Sequence, residues 1–129
     1  MPFHPAYFAT RFRCPSAHPA WPDRFAIISA CATTGEHWDA AREAAADAAL
    51  HAALVARGLW VARITGYSPE TGHAEPSWAA AMPLADAVAL GADFAQDAIY
   101  WVDGDVLSVH RCRGDGATAP VGLFRERLD

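Results

Sequence analysis

The chain contains no lysine among its 129 residues. That absence removes two chemistries at once, a Schiff-base amine and the lysine of a phosphate-gripping P-loop. Cysteine is scarce. Cys14, Cys31 and Cys112 form an odd set with no CxxC spacing, and no basic-then-apolar leader precedes them, so a reduced, cytoplasmic protein is expected. Long apolar runs are missing too. The longest apolar region, around residues 52–64, is broken by Arg57, Gly58 and Arg63 and falls short of the roughly 20 apolar residues that a spanning helix requires. Basic charge is in the minority, with ten arginines against fifteen carboxylates, and residues 36–105 hold eleven carboxylates against three arginines. A surface of that sign is a poor partner for nucleic acid. No internal repeat or low-complexity segment is present.

What the chain does have is alanine, thirty of them, which makes helix formation inexpensive. Its length suits one domain spanning residues 1–129, large enough to bury a core without disulfides. Residues 1–24 hold five of the nine prolines and form a Pro-rich N-terminal segment. The alternation from Tyr7 to Cys14 sets Phe8, Thr10 and Phe12 opposite Arg11 and Arg13, as in a short edge strand. The run Phe25-Ala26-Ile27-Ile28-Ser29-Ala30-Cys31 reads as an interior strand.

Thr33-Thr34-Gly35-Glu36 matches a capping box, so a long helix is expected from there to Arg57, with Gly58 as a left-handed stop. Its polar stripe is Asp39, Glu43, Asp47 and His51 at i,i+4 spacing. Like charges so placed cost roughly 0.2–0.5 kcal/mol per pair, a cost that some partner could offset. Residues 59–65 read as the next strand. Pro83 opens a second helix in the favoured first-turn position. Ala98 to Val102 and Val106 to His110 flank Asp103-Gly104-Asp105 as a hairpin. The tail, residues 113–129, is expected to be loosely held. The element order β, β-α-β, β-α-β-β predicts an α+β fold, a two-layer sandwich with a mixed sheet of five or six strands and both helices packed on one face.

The stretch from Gly66 to Trp78 gathers most of the unusual polar residues around a turn rich in glycine and proline. On its return arm Glu75 and Ser77 stand two residues apart and so share one face of a strand. Glu75 is a candidate general base or ligand anchor with Ser68, His73 and Ser77 beside it. The plainer alternative is a carboxylate that accepts backbone amides of its own turn. Cys31, at the end of a strand before a helix, could hold a stabilised thiolate and recruit His37 or His73, although acids in the helix's first turn oppose this. Glu43, Asp47 and His51 with Glu75, or His110 and Cys112 with Cys31, lack a recognised ligand spacing, so no metal and no cofactor is expected.

The motifs Ala6-Tyr7…Thr10, Phe25-Ala26-Ile27-Ile28-Ser29-Ala30, Gly66-Tyr67-Ser68-Pro69, Glu75-Pro76-Ser77 and Phe94-Ala95-Gln96-Asp97-Ala98-Ile99 together resemble a small bacterial family known only as domain-of-unknown-function family 3293. The resemblance covers nearly everything from Ala6 to His110. It implies no reaction. Where such proteins tend to carry Asn-Pro after the first interior strand this chain has Cys31-Ala32, and where they tend to carry asparagines on the long helix it has Glu43 and Asp47.

Two functions from different classes follow. In the first, Ser68, His73, Glu75, Ser77, Glu43 and Asp47 frame a pocket that binds, or acts on, a small molecule. In the second, exposed aromatics such as Tyr67, Trp78 and Trp21 dock a protein partner. A deep pocket lined by Glu75 would favour the first and a flat aromatic patch the second.

Overall fold

The computed structural model describes residues 3–15, 20–32 and 36–129. Its elements in chain order are α1 (Ala6–Ala9), β1 (Arg11–Arg13), β2 (Arg24–Ser29), α2 (Ala40–Ala56), β3 (Val61–Tyr67), β4 (Ala74–Ala80), α3 (Leu84–Asp93), β5 (Ala98–Asp103), β6 (Val106–Arg111), β7 (Thr118–Leu123) and α4 (Phe124–Arg127).

The sheet is not the mixed five- or six-stranded layer of a two-layer sandwich with two helices. Among the described residues it has seven strands in the order β1-β3-β4-β2-β5-β6-β7, every neighbouring pair is antiparallel, and four helices accompany it in a curled half-barrel. The expectation failed for a topological reason. β2 and β3 do run the same way, as a strand-helix-strand unit requires, but β4 folds back between them. Likewise β4 and β5 run the same way with β2 between them. Both crossovers skip one strand, a split β-α-β arrangement, and the skipped place is filled by a strand of opposite direction.

Both faces of this sheet are covered, which is why β2 buries four residues in succession, Phe25 to Ile28. Ala26 and Ile28 meet Leu50 and Leu54 of α2 and Ala87 and Leu90 of α3, with Ala80, Met82 and Ile99 completing the cluster. Phe25 and Ile27 point the other way, into a second core with Phe12, Ile64, Ala79, Val102, Leu107 and Phe124. Burying a leucine or phenylalanine side chain contributes about 1.5–3 kcal/mol. The second core also explains the curl. Phe12 lies on β1 at one edge of the sheet and Phe124 follows β7 at the other, yet their ring centroids are 5.9 Å apart and Phe12 forms a bridge with Leu128. The sheet wraps around its own aromatic interior.

Three local expectations are corrected. The tail is not loose: Thr118–Leu123 pair with β6, and Phe124 is buried. The N-terminal alternation does not make one strand from Tyr7 to Cys14. Ala6–Ala9 is a helical turn closed by the Thr10 hydroxyl donating to the Ala6 carbonyl at 2.9 Å, and only Arg11–Arg13 pair with β3. The turn leaves Phe8 exposed and puts Tyr7 and Thr10, three residues apart, on one side. The long helix begins at Ala40, later than expected, where Asp39 caps it by accepting the Arg42 amide at 2.7 Å. Residues 33–35 of the expected capping box lie outside the described residues. The helix ends as expected, with Gly58 at φ 69°.

Candidate functional site

The ends of β2, β3, β4 and β5 meet at one mouth of the half-barrel and enclose a cavity of about 460 Å³. Its floor is the aromatic core, through Phe12, Ile27 and Tyr100. Its walls come from α1 (Tyr7, Thr10), the end of β2 (Ser29, Cys31), the β3–β4 hairpin (Gly66, Ser68, His73, Glu75, Ser77), the segment before α2 (Glu36, His37, Trp38) and the start of β5 (Gln96, Asp97, Ala98). Gly66 lies opposite Glu75 across the hairpin, and a side chain there would press on Phe12 and Thr10 at 3.4 Å. Glycine at that position lets β1 close over the floor.

The hairpin is shorter than the sequence suggests. Paired strand continues to Tyr67 and resumes at Ala74, and the tip is closed by Ser68 N–H to His73 O and Gly72 N–H to Ser68 O, both 2.8 Å. Ser68, His73, Glu75 and Ser77 all line the cavity, as does Glu43 from the first turn of α2. Ser77 is 5% exposed and donates to the Glu75 carbonyl at 3.0 Å; it pairs across the strands with Ser29. Ser68 accepts the Thr71 amide at 3.4 Å. The Glu75 carboxylate takes no amide of its turn and no hydroxyl of Ser68. Among the described residues its one ion-pair partner is His73, whose Nε2 is 4.0 Å away.

Asp47 is elsewhere. It accepts both guanidinium nitrogens of Arg63, at 2.8 and 2.6 Å, and the Trp78 indole N–H at 3.1 Å, so it ties α2 to β3 and β4. The helix stripe therefore divides into four tasks. Asp39 caps, Glu43 faces the cavity, Asp47 anchors, and His51 stacks on Trp78 at 4.0 Å. No metal-holding group of three or more His, Cys, Asp or Glu occurs among the described residues.

Several wall residues carry no local sequence signal. Tyr7 and Tyr100 meet edge to face at 6.0 Å, and the Tyr100 hydroxyl donates to the Tyr7 carbonyl at 2.8 Å. Burial, with Asp97 and Glu75 nearby, pushes the Tyr7 phenol up to about 12, and burial raises Tyr100 as well, so both stay neutral. Gln96 is 6% exposed. It accepts from Ser29 Oγ at 2.8 Å and donates to the carbonyls of Cys31 and Phe94 at 2.9 and 3.1 Å, joining β2 to the end of α3. It is aimed by Ala95, a non-glycine residue at φ 59°, in a helix-ending turn where Gln96 N–H bonds Gly91 O at 2.9 Å. The Gln-x-Ala-Ile motif was the available sign.

Cys31 is not an activated thiol. Burial, then the charges of Glu75, Glu43 and Asp47, push it up to about 12, with Arg63 opposing, so the thiol keeps its proton. The aromatics proposed for partner docking are engaged. Trp21 stacks on Phe25 with centroids 5.2 Å apart, Trp78 carries His51 and Arg63, and the Tyr67 hydroxyl donates to Asp129. Among the described residues the exposed large hydrophobics are Phe8, Val55 and Val106, on three separate elements.

Burial, opposed by His73 and reinforced by Glu43, holds the Glu75 carboxyl above its ordinary value of 4.5. Between that value and the folded one, the folded chain binds more protons than the unfolded chain, so stability falls as pH rises across this interval. Of the other groups facing Glu75, Tyr7, Tyr100 and Cys31 stay neutral there. Glu75→Gln is expected to melt higher than the wild type at about pH 7, and the two melting temperatures to converge below about pH 4.5. A variant less stable at neutral pH would mean that the carboxylate is held by donors.

The sequence matches a family described as "Protein of unknown function (DUF3293)" over residues 28–99, more than half of the chain. No curated protein and no solved structure matches it. The matched span runs from β2 to the start of β5 and so contains the hairpin, α2, α3 and Gln96. No helix among the described residues is long and apolar enough to cross a membrane.

Proposed function

Because this chain belongs to the DUF3293 family of proteins of unknown function, whose description names no reaction, we propose its role from the cavity: it binds a small organic molecule at the mouth of the half-barrel. The observation that carries this reading is a cavity of about 460 Å³ onto which Glu75 opens, a half-buried carboxylate, 44% exposed, that accepts no hydrogen bond among the described residues. Water reaches part of such a carboxylate, and a ligand that hydrogen-bonds its sheltered side would offset the rest of the desolvation cost. The volume is in the range of about 300–1,000 Å³ typical of small-molecule sites. The surroundings suit binding more than covalent chemistry, since Cys31 and the phenols hold their protons. Three free cysteines suit a reducing compartment, so the binding is proposed to take place in the cytoplasm.

A thermal-shift screen of amines, carboxylates, sugars and nucleosides tests the reading. A ligand at ten times its dissociation constant adds about 1.4 kcal/mol and raises the melting temperature of a domain of this size by roughly 4 °C. Ala98→Phe fills the cavity from β5 and is expected to abolish the response while leaving a cooperative transition. An empty screen, or a response that persists in the filled variant, would sink the proposal.

A further inference from the structure

We infer that the ligand is a small organic cation, an ammonium or amidinium group on an apolar or aromatic body, seated with its charge at Glu75 and Glu43 and its body against Tyr7, Phe12 and Tyr100. The inference rests on the cavity being a binding site and names what fits it. Among the described residues the lining contains no arginine, and the chain has no lysine. Asp97 is already matched by Arg113 at 3.7 Å. Among the described residues neither Glu43 nor Glu75 pairs with an arginine; the cavity's basic groups are the histidines His4, His37 and His73, of which the exposed His73 lies 4.0 Å from Glu75. An anion placed there would meet two carboxylates at short range in a partly desolvated space, whereas a cation would neutralise them.

The remaining wall supplies what an organic cation needs besides charge. The Tyr7 hydroxyl has no hydrogen-bond partner among the described residues and, as a neutral phenol, can accept from an ammonium N–H. The rings of Tyr7, Tyr100 and Phe12 form a contiguous edge-to-face cluster along the cavity lining, with centroids 6.0 and 5.3 Å apart, an aromatic wall that suits the apolar body of a cationic guest. A hydrated inorganic cation has no use for such a wall. The backbone at Ser77 and the Ser29–Gln96 pair are internally satisfied, so they shape the pocket without competing for the guest.

Probes that share one ring and differ in charge test the class. Benzylammonium, benzamidinium, benzyl alcohol and benzoate, each at about 5 mM and about pH 7.5, would be titrated into the ¹⁵N-labelled full chain while amide shifts are followed. The cations are expected to move the amides of Glu75, Ser77, Ser29 and Tyr100 and to bind at least about ten-fold tighter than benzyl alcohol, with benzoate inert. Glu75→Gln is expected to weaken the cations about ten-fold or more and to leave benzyl alcohol unchanged. If neither cation moves these amides, or if Glu75→Gln and Glu43→Gln both leave cation binding intact, the inference is overturned. Binding of benzoate or benzyl alcohol in preference to the cations would overturn it too, while the cavity would still stand as a binding site. An empty broad screen would remove both.

Discussion

Replacing Gly91 with alanine is expected to cost about 2 kcal/mol and to lower the melting temperature by roughly 6–8 °C. Helix propensity alone points the other way, since alanine inside a helix is favoured over glycine by about 1 kcal/mol. The outcome is decided by space. A Cβ at this position of α3 would come within 2.6 Å of Cys112 Sγ and 2.8 Å of Ile99 Cγ2. The thiol can turn aside. Ile99 cannot, because it is β-branched and 2% exposed between sheet and helix, so α3 would have to lift from β5. The end of that helix aims Gln96 at the cavity, so the displacement should also disturb the Ser29–Gln96 contact. Adding Cys112→Ala to the variant removes the nearer clash and is expected to restore part of the loss. A Gly91→Ala protein as stable as the wild type in thermal or urea melts would show that α3 does not sit this close to the sheet.

The second large effect separates two acids that look alike in the sequence. Asp47→Ala is expected to destabilise by about 2–3 kcal/mol, since it strips the Arg63 guanidinium of a two-pronged partner and leaves the Trp78 indole N–H without its acceptor. The Arg63 and Asp47 side chains are 29% and 24% exposed, so solvent repairs part of the loss and the full cost of a buried unpaired charge does not apply. Glu43→Gln, one helical turn earlier, is expected to change stability by no more than about 0.5 kcal/mol, because its carboxylate faces the cavity. Equal effects in urea melts would mean that the two acids share one environment after all.

That contrast shows where sequence reasoning stops. Spacing told which residues share a face: Glu75 and Ser77 two apart on a strand, and Glu43 and Asp47 four apart on a helix. It could not tell what each residue on the face would meet. Asp47 lies over the β3–β4 pair, and Glu43, a turn nearer the helix start, reaches past the sheet's end to the cavity. Tyr7 and Tyr100 are joined across 93 residues, and no local periodicity announces such a contact. The hairpins and the two long helices were legible from turn residues and periodicity. The sheet was not, because the order of elements is the same whether a crossover lands beside its first strand or skips a place. β7 was missed because Pro120 and Gly122 look like loop and because its inward positions are only half-buried, so Ala119, Val121 and Leu123 make a weak alternating signal.

The composition of β7 has a consequence beyond its own stability. An open sheet edge is a template on which a strand of another chain can lie. Here the template is interrupted on both sides. On β7, Pro120 brings no N–H, the Val121 carbonyl already accepts Arg127 at 3.3 Å, and the ladder shifts register beside Leu107 and Ser108. On the opposite edge β1 is three residues long, and its central Phe12 is bridged by Leu128, with the Asp129 N–H on the Phe12 carbonyl at 2.8 Å. A half-barrel leaves two edges that a closed barrel would not have, and in this chain each is spoiled for strand addition by its own residues. Neither edge therefore offers a ready place for a borrowed strand.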